Sequence, residues 1–159
     1  MRGVCKPAMA LHNIIVRAHP KAVWEVLADP HSYQRWVPGT KRIVRADPDW
    51  PEPGSAFEYE AGIGSLKFRG QTVARGREEG SHLEIEADAK LLAARVAISV
   101  KPWGDDSLVV VEEHWIRGSY LLLENPIVDL ALNIRNRVMV KYLAREVQRR
   151  SHRPTPASQ

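Results

Sequence analysis

The stretch 125-NPIVDLALNIRNRVMVKYLAREVQR-149 carries helical periodicity over its whole length, and the rest of the chain reads outward from it. Asn125 is a suitable N-cap, and Pro126 sits in a first turn that tolerates proline. Asp129 lies near the positive end of the helix dipole, and Arg145, Arg149 and Arg150 lie near the negative end. At about 100° per residue, Ile127, Leu130, Ala131, Ile134, Val138 and Tyr142 share one face. Leu132, Met139, Leu143 and Val147 occupy an adjoining face, so the apolar stripe is wide and drifts along the helix. A helix on a flat layer needs a narrower stripe. The width predicts an embraced helix, with Ile127 to Val138 facing a cavity and Met139, Leu143 and Val147 packed on sheet or short helices.

Upstream, residues 11–18 read as a strand with Ile14, Val16 and Ala18 on one face. Residues 21–28 read as a short helix after Pro20, and residues 30–36 as a second. From Thr40 the hydrophobic period is two, which predicts strands over 41–47, 55–61, 66–77, 82–90, 92–101 and 108–117. Turns are expected at 62–64, 78–80 and 103–106, with a bulge at Gly70. Leu83, Ile85, Ala87 and Ala89 alternate with Glu84, Glu86, Asp88 and Lys90, the mark of a strand with one wet face. This order predicts an α+β domain: a curved antiparallel sheet of about seven strands around a long C-terminal helix, with two short helices after strand 1. The domain is expected at 11–150, with a flexible N-terminal segment at 1–10 and a disordered Pro/Ser-rich tail at 151–159.

The chain of 159 residues suits one domain and can bury about 70% of its unfolded surface. Its one cysteine, Cys5, excludes an internal disulfide and a multi-cysteine metal site, and points to a reducing, cytoplasmic setting. No apolar run approaches a membrane span, and the start lacks the apolar core of a signal peptide. The net charge of +4 is uneven: Arg135, Arg137, Lys141, Arg145, Arg149, Arg150 and Arg153 crowd the last helix and tail against Glu146. Such a stripe suits RNA or anionic lipid heads, and equally the solvated face of a helix.

Ala18-His19-Pro20-Lys21-Ala22-Val23-Trp24-Glu25-Val26-Leu27-Ala28-Asp29-Pro30, with Tyr33 and Trp36-Val37-Pro38-Gly39, resembles the opening signature of the START-like, helix-grip (SRPBCC) superfamily. The polyketide cyclase/dehydrase and lipid-transport family is the branch it is most similar to. Pro53-Gly54-Ser55, the run Lys101 to Ser107, Asn125-Pro126 and the stretch Asn136-Arg137 to Leu143-Ala144 extend the resemblance over residues 11–149. It implies a deep cavity between sheet and long helix that binds or transports an apolar small molecule: a lipid, polyketide or aromatic ligand. Two alternatives come with it, a polyketide cyclase/aromatase using a pocket carboxylate, and an RNA- or ribosome-interacting toxin-like protein. Fold alone does not choose among them.

Catalytic motifs do not help. There is no G-x-S-x-G elbow or H-E-x-x-H pair, and the six histidines are scattered, so no metal or other cofactor is expected. DNA and stable membrane insertion are not expected either, and the oligomeric state is left open. Candidate ligand contacts are Trp36 at a cavity mouth, Phe57, Tyr59, Phe68, Ile85, Val96 and Ile98 on the sheet, and Leu130, Ile134 and Val138 on the helix. All of these also suit a plain core. The last strand is anomalous because each of its faces carries a glutamate. The hairpin resemblance puts Ser107 inward, and with it Val111, Glu113 and Trp115. An inward Glu113 must be paired, hydrogen-bonded or protonated. With Tyr59 it is the candidate acid–base pair, should the protein be an enzyme.

Overall fold

The computed structural model describes residues 9–89, 92–117 and 126–152. In order these form β1 (Met9–Val16), α1 (Pro20–Leu27), a 3-10 turn (Pro30–Ser32), α2 (Tyr33–Trp36), β2 (Thr40–Ala46), β3 (Ala56–Ile63), β4 (Leu66–Glu78), β5 (His82–Ala89), β6 (Leu92–Trp103), β7 (Asp106–Arg117) and α3 (Pro126–Ser151). The seven strands make one antiparallel sheet in the order β1-β7-β6-β5-β4-β3-β2. Hairpin succession carries β2 to β7 across the sheet, and β1 then pairs with β7. The chain must therefore cross from one sheet edge to the other between β1 and β2. The short helices make that crossing and cover part of the inner face as they do so, α1 against β6 and β7, α2 against β2.

Local chemistry sets these helices. His19 caps α1 by accepting from the Lys21 N–H at 3.3 Å, with Pro20 in the first turn. Asp29 caps the 3-10 turn by accepting from the His31 N–H at 2.9 Å. Tyr33 donates to the Leu27 carbonyl at 3.0 Å, and Trp36 Nε1 donates to Ser32 Oγ at 3.1 Å. Tyr33, Trp36, Trp50 and Phe57 then stack into one aromatic cluster. Burial pushes the Tyr33 phenol well above its usual range, and the nearby Asp29 charge adds to this.

Alternation in the strands sorts the two sheet faces. Ala74, Leu83, Ile85, Ile98, Val100, Val109 and Val111 fill the inner side with Phe57. Outside, Arg42 and Arg69 flank Glu60, and Arg75 and Arg95 flank Glu86 across neighbouring strands. Opposite charges on adjacent strands are the favourable arrangement for cross-strand pairs.

α3 buries Met139, Val140, Leu143, Ala144 and Val147, and packs against β1, α1 and α2. Each of the larger aliphatic side chains contributes about 1.5–3 kcal/mol of burial. Glu146 is 5% exposed on the same buried side. It accepts from Arg35 at 2.9 Å, Arg149 at 2.9 Å and Arg150 at 3.0 Å, while Arg150 also reaches Asp29 at 2.5 Å. The C-terminal half of α3 is thereby clamped to α2 and the 3-10 turn.

The structure corrects several expectations. Ile127, Leu130 and Ile134 do not face inward: they lie on the outer side of α3 and are strongly exposed, while Val138 is partly buried. Periodicity offers two apolar faces, and the inward one is the face that also carries Asn136 and Glu146, because both find partners there. Gly70 is not a bulge; it pairs regularly with Tyr59, and the shift in register falls between Ala74 and Gly76. β1 begins at Met9, inside the segment expected to be flexible, because Met9 and Ala10 pair with His114 and Glu113. The expected cap Asn125, Cys5 and nearly all of the expected tail lie outside the described residues.

Candidate functional site

The inner sheet face divides into two zones. Beneath α1, α2 and the C-terminal half of α3 it is packed solid. Trp36, Phe57, Ile85, Ile98 and Val111 lie there, between 1% and 6% exposed. Trp36 is therefore not at a cavity mouth: its indole N–H is consumed by Ser32, and its ring by the aromatic cluster. Toward the end where β3, β5 and β7 finish, the inward residues Tyr59, Phe68, Val96 and Trp115 are only partly buried. This zone presents apolar and aromatic surface that the described residues do not cover.

Glu113 sits at the boundary between the zones. Its register opposite Val96 and Ala10 turns it inward with Val109 and Val111, and it is 5% exposed. Its Oε2 accepts from Asn136 Nδ2 at 2.5 Å. Its Oε1 lies 3.8 Å from Arg135 Nη1, which also donates to Asn136 Oδ1 at 3.1 Å. Carboxylate, carboxamide and guanidinium thus form a short polar chain between β7 and α3. A buried carboxylate without such partners would cost several kcal/mol.

Tyr59 approaches the same chain from the far side. Four strand spacings separate β3 from β7, about 19 Å on a flat sheet. Arg135, 3.8 Å from Glu113, also acts electrostatically on the Tyr59 phenol, as a sheet curled around α3 allows. Burial pushes the Tyr59 phenol above its usual range, Arg135 draws it back, and Asp88 raises it again. The ring lies across Gly70: a Cβ there would overlap Tyr59 Cζ and Oη and come within 2.9 Å of the Asp88 carbonyl oxygen. Glycine is required here for close approach of an aromatic ring, not for a turn.

The sequence-predicted residues therefore separate into three groups. Tyr59, Phe68, Val96, Glu113 and Trp115 gather at the open end. Trp36, Phe57, Ile85, Ile98 and Val111 fill core. Leu130 and Ile134 face away, with Val138 between. Asn136 and Arg135 join the site without having been singled out by sequence reasoning. Asn136 has a readable signal, since it is a carboxamide on the helix side of Met139, Leu143 and Val147. Two clefts lie outside the inner face. One, of about 170 Å³, is lined by Arg35, Tyr142, Arg145, Glu146 and Arg149. The other, of about 190 Å³, is lined by residues of β2, β3 and β4, including Arg45 and Gln71. Among the described residues no cluster of His, Cys, Asp and Glu could hold a metal, and no helix is long and apolar enough to cross a membrane.

An antiparallel sheet curled around a C-terminal helix, with short helices after the first strand, defines a helix-grip protein of the START-like class. The chain belongs to the polyketide cyclase/dehydrase and lipid transport family, whose model matches residues 12–153. Three solved structures illustrate the likeness. The Zhui aromatase/cyclase from Streptomyces sp. R1128 is 13% identical, with a TM-score of 0.74 over 96% of this chain and 100% of that one. TTHA0849 from Thermus thermophilus is 13% identical, with a TM-score of 0.73 over 91% and 99%. Ara h 8.0201 is 10% identical, with a TM-score of 0.71 over 90% and 99%. At such identities the likeness establishes the fold alone. Comparison by sequence with curated proteins finds no match.

Proposed function

We propose that the protein binds an apolar small molecule of the lipid, polyketide or aromatic class against the open end of the inner sheet face. The observation that carries this reading is Glu113, a buried carboxylate held by Asn136 beside the partly uncovered Tyr59, Phe68, Val96 and Trp115. A side chain that costs so much to bury is poorly suited to simple packing. It suits the orientation of a ligand, whose hydroxyl or phenol would donate to Glu113 while a carbonyl accepted from Arg135 or Tyr59. Affinity would come from apolar burial at about 25 cal/mol per Å². The family's description supports the same ligand class. A single cysteine in the sequence supports a cytoplasmic setting.

Native mass spectrometry of gently purified protein, followed by solvent extraction, tests this. An apolar adduct that is weakened in Glu113→Gln is the expected result. The reading fails if no adduct is found and fatty acids and aromatic polyketides leave the melting temperature unmoved.

A second reading, a cyclase or dehydratase, is favoured by one observation: the Arg135 guanidinium lies 3.8 Å from Glu113 and its charge also acts on the Tyr59 phenol. A phenol raised above its usual range stays protonated and can donate a proton, and a carboxyl group beside it is the partner such chemistry needs. An enzyme would turn over a poly-β-ketone and lose rate more than binding in Glu113→Gln. A carrier would lose binding alone.

A further inference from the structure

The outer face of α3 plays no part in that site. Ile127, Leu130 and Ile134 are 76%, 60% and 54% exposed on it, and Tyr142 is 40% exposed. Helical spacing puts the exposed Arg137, Lys141 and Arg145 on the same side. Between Leu130 and Arg145 the helix holds no acidic residue. The next one, Glu146, is turned inward and neutralised by Arg35, Arg149 and Arg150. The cleft of about 170 Å³ at the basic end is lined by Arg35, Tyr142, Arg145, Glu146 and Arg149, and the Arg145 guanidinium lies 5.7 Å over the Tyr142 ring. One face of one helix is therefore aliphatic in its first half and cationic in its second.

We propose that this face docks on the surface of an anionic lipid bilayer. Ile127, Leu130 and Ile134 enter the interfacial layer, while Arg137, Lys141 and Arg145 engage headgroup phosphates. Charge and apolarity together select this partner. A nucleic acid would satisfy the cations and leave three large aliphatic side chains in water. A purely apolar partner would bury those side chains and strand the cations. The interfacial zone of an anionic bilayer offers both environments side by side. From Leu130 to Arg145 the face runs about 22 Å at 1.5 Å per residue, so the helix lies along the surface. Docking of this kind is peripheral and stands independently of the ligand reading.

Flotation with phosphatidylcholine vesicles, with and without about a quarter phosphatidylglycerol, tests it. Binding is expected to the anionic vesicles only, and to weaken as salt rises. Lys141→Glu with Arg145→Glu should lower the partition coefficient at least about 25-fold, near fivefold per charge. Ile127→Ser with Ile134→Ser should lower it about tenfold without changing the melting temperature. The emission of an Ile134→Trp variant should shift to the blue on anionic vesicles. The proposal is overturned if the protein stays unbound at low salt, or if the bound Ile134→Trp variant shows no shift. It is equally overturned if the same substitutions abolish a concentration-dependent dimer or RNA binding while vesicle binding is unchanged.

Discussion

The Asn136 carboxamide on α3 donates to the Glu113 carboxylate on β7 at 2.5 Å, joining helix and sheet where the packed core gives way to the open inner face. A hydrogen bond to a charged group is worth about 1.5–3 kcal/mol, and its loss leaves a buried carboxylate unsatisfied. Asn136→Leu should therefore lower unfolding free energy by about 2–4 kcal/mol, read as a reduced urea midpoint at constant slope. Adding Glu113→Leu should restore most of that loss, because removing both polar ends also removes the desolvation cost. A double variant as unstable as Asn136→Leu alone would show that the pair is not coupled.

Two tryptophans predict opposite phenotypes. Trp36 is buried in the aromatic cluster and bonded to Ser32, whereas Trp115 is partly uncovered at the open end. Trp36→Phe should cost about 1–3 kcal/mol of stability and leave affinity for an apolar probe unchanged. Trp115→Ala should weaken the probe. Titration of a fluorescent fatty acid alongside thermal melts separates the two.

Gly70→Ala should displace the Tyr59 ring, since the new methyl group would overlap Cζ and Oη. Overpacking of this kind costs about 1–3 kcal/mol. The Tyr59 phenol should then ionise closer to the ordinary 10.0, because its burial is what raises it. Absorbance titration of Gly70→Ala and Tyr59→Phe against wild type would reveal this, and an unchanged tyrosine titration would refute the ring placement.

Acid stability should depend on Glu146. Burial pushes its carboxyl up, but hydrogen bonds from Arg149, Arg35 and Arg150 outweigh this and bring it down from 4.5 to about 2. A carboxyl lowered on folding stabilises the fold above its unfolded value. That contribution is complete above about pH 4.5 and lost as pH falls toward about 2, on the order of 3 kcal/mol in all. Glu146→Gln should be less stable at neutral pH and should show a flatter decline over that window in urea unfolding measured at stepped pH.

Element order and the hairpin succession are legible in the chain alone, whereas the facing of β7 rests on the hairpin resemblance that puts Ser107 inward. A period of two forces alternate side chains to opposite faces, so placing Ser107 inward also places Glu113 inward, as found. The helix starts at His19-Pro20 and Asp29-Pro30 are legible for a similar reason, since their hydrogen bonds join residues two positions apart. Packing alone settles which of two apolar sides of α3 turns inward, and which inward sheet residues remain uncovered. Periodicity reports that a face is apolar; it does not report what lies opposite. Asn136 is buried because Glu113 stands across from it, and Trp36 because Ser32 and Tyr33 receive it. Ile134 is left outside because the polar partners are on the other side. The decisive pairing, Glu113 with Asn136, joins residues 23 positions apart in different elements, and no single strand or helix contains that information.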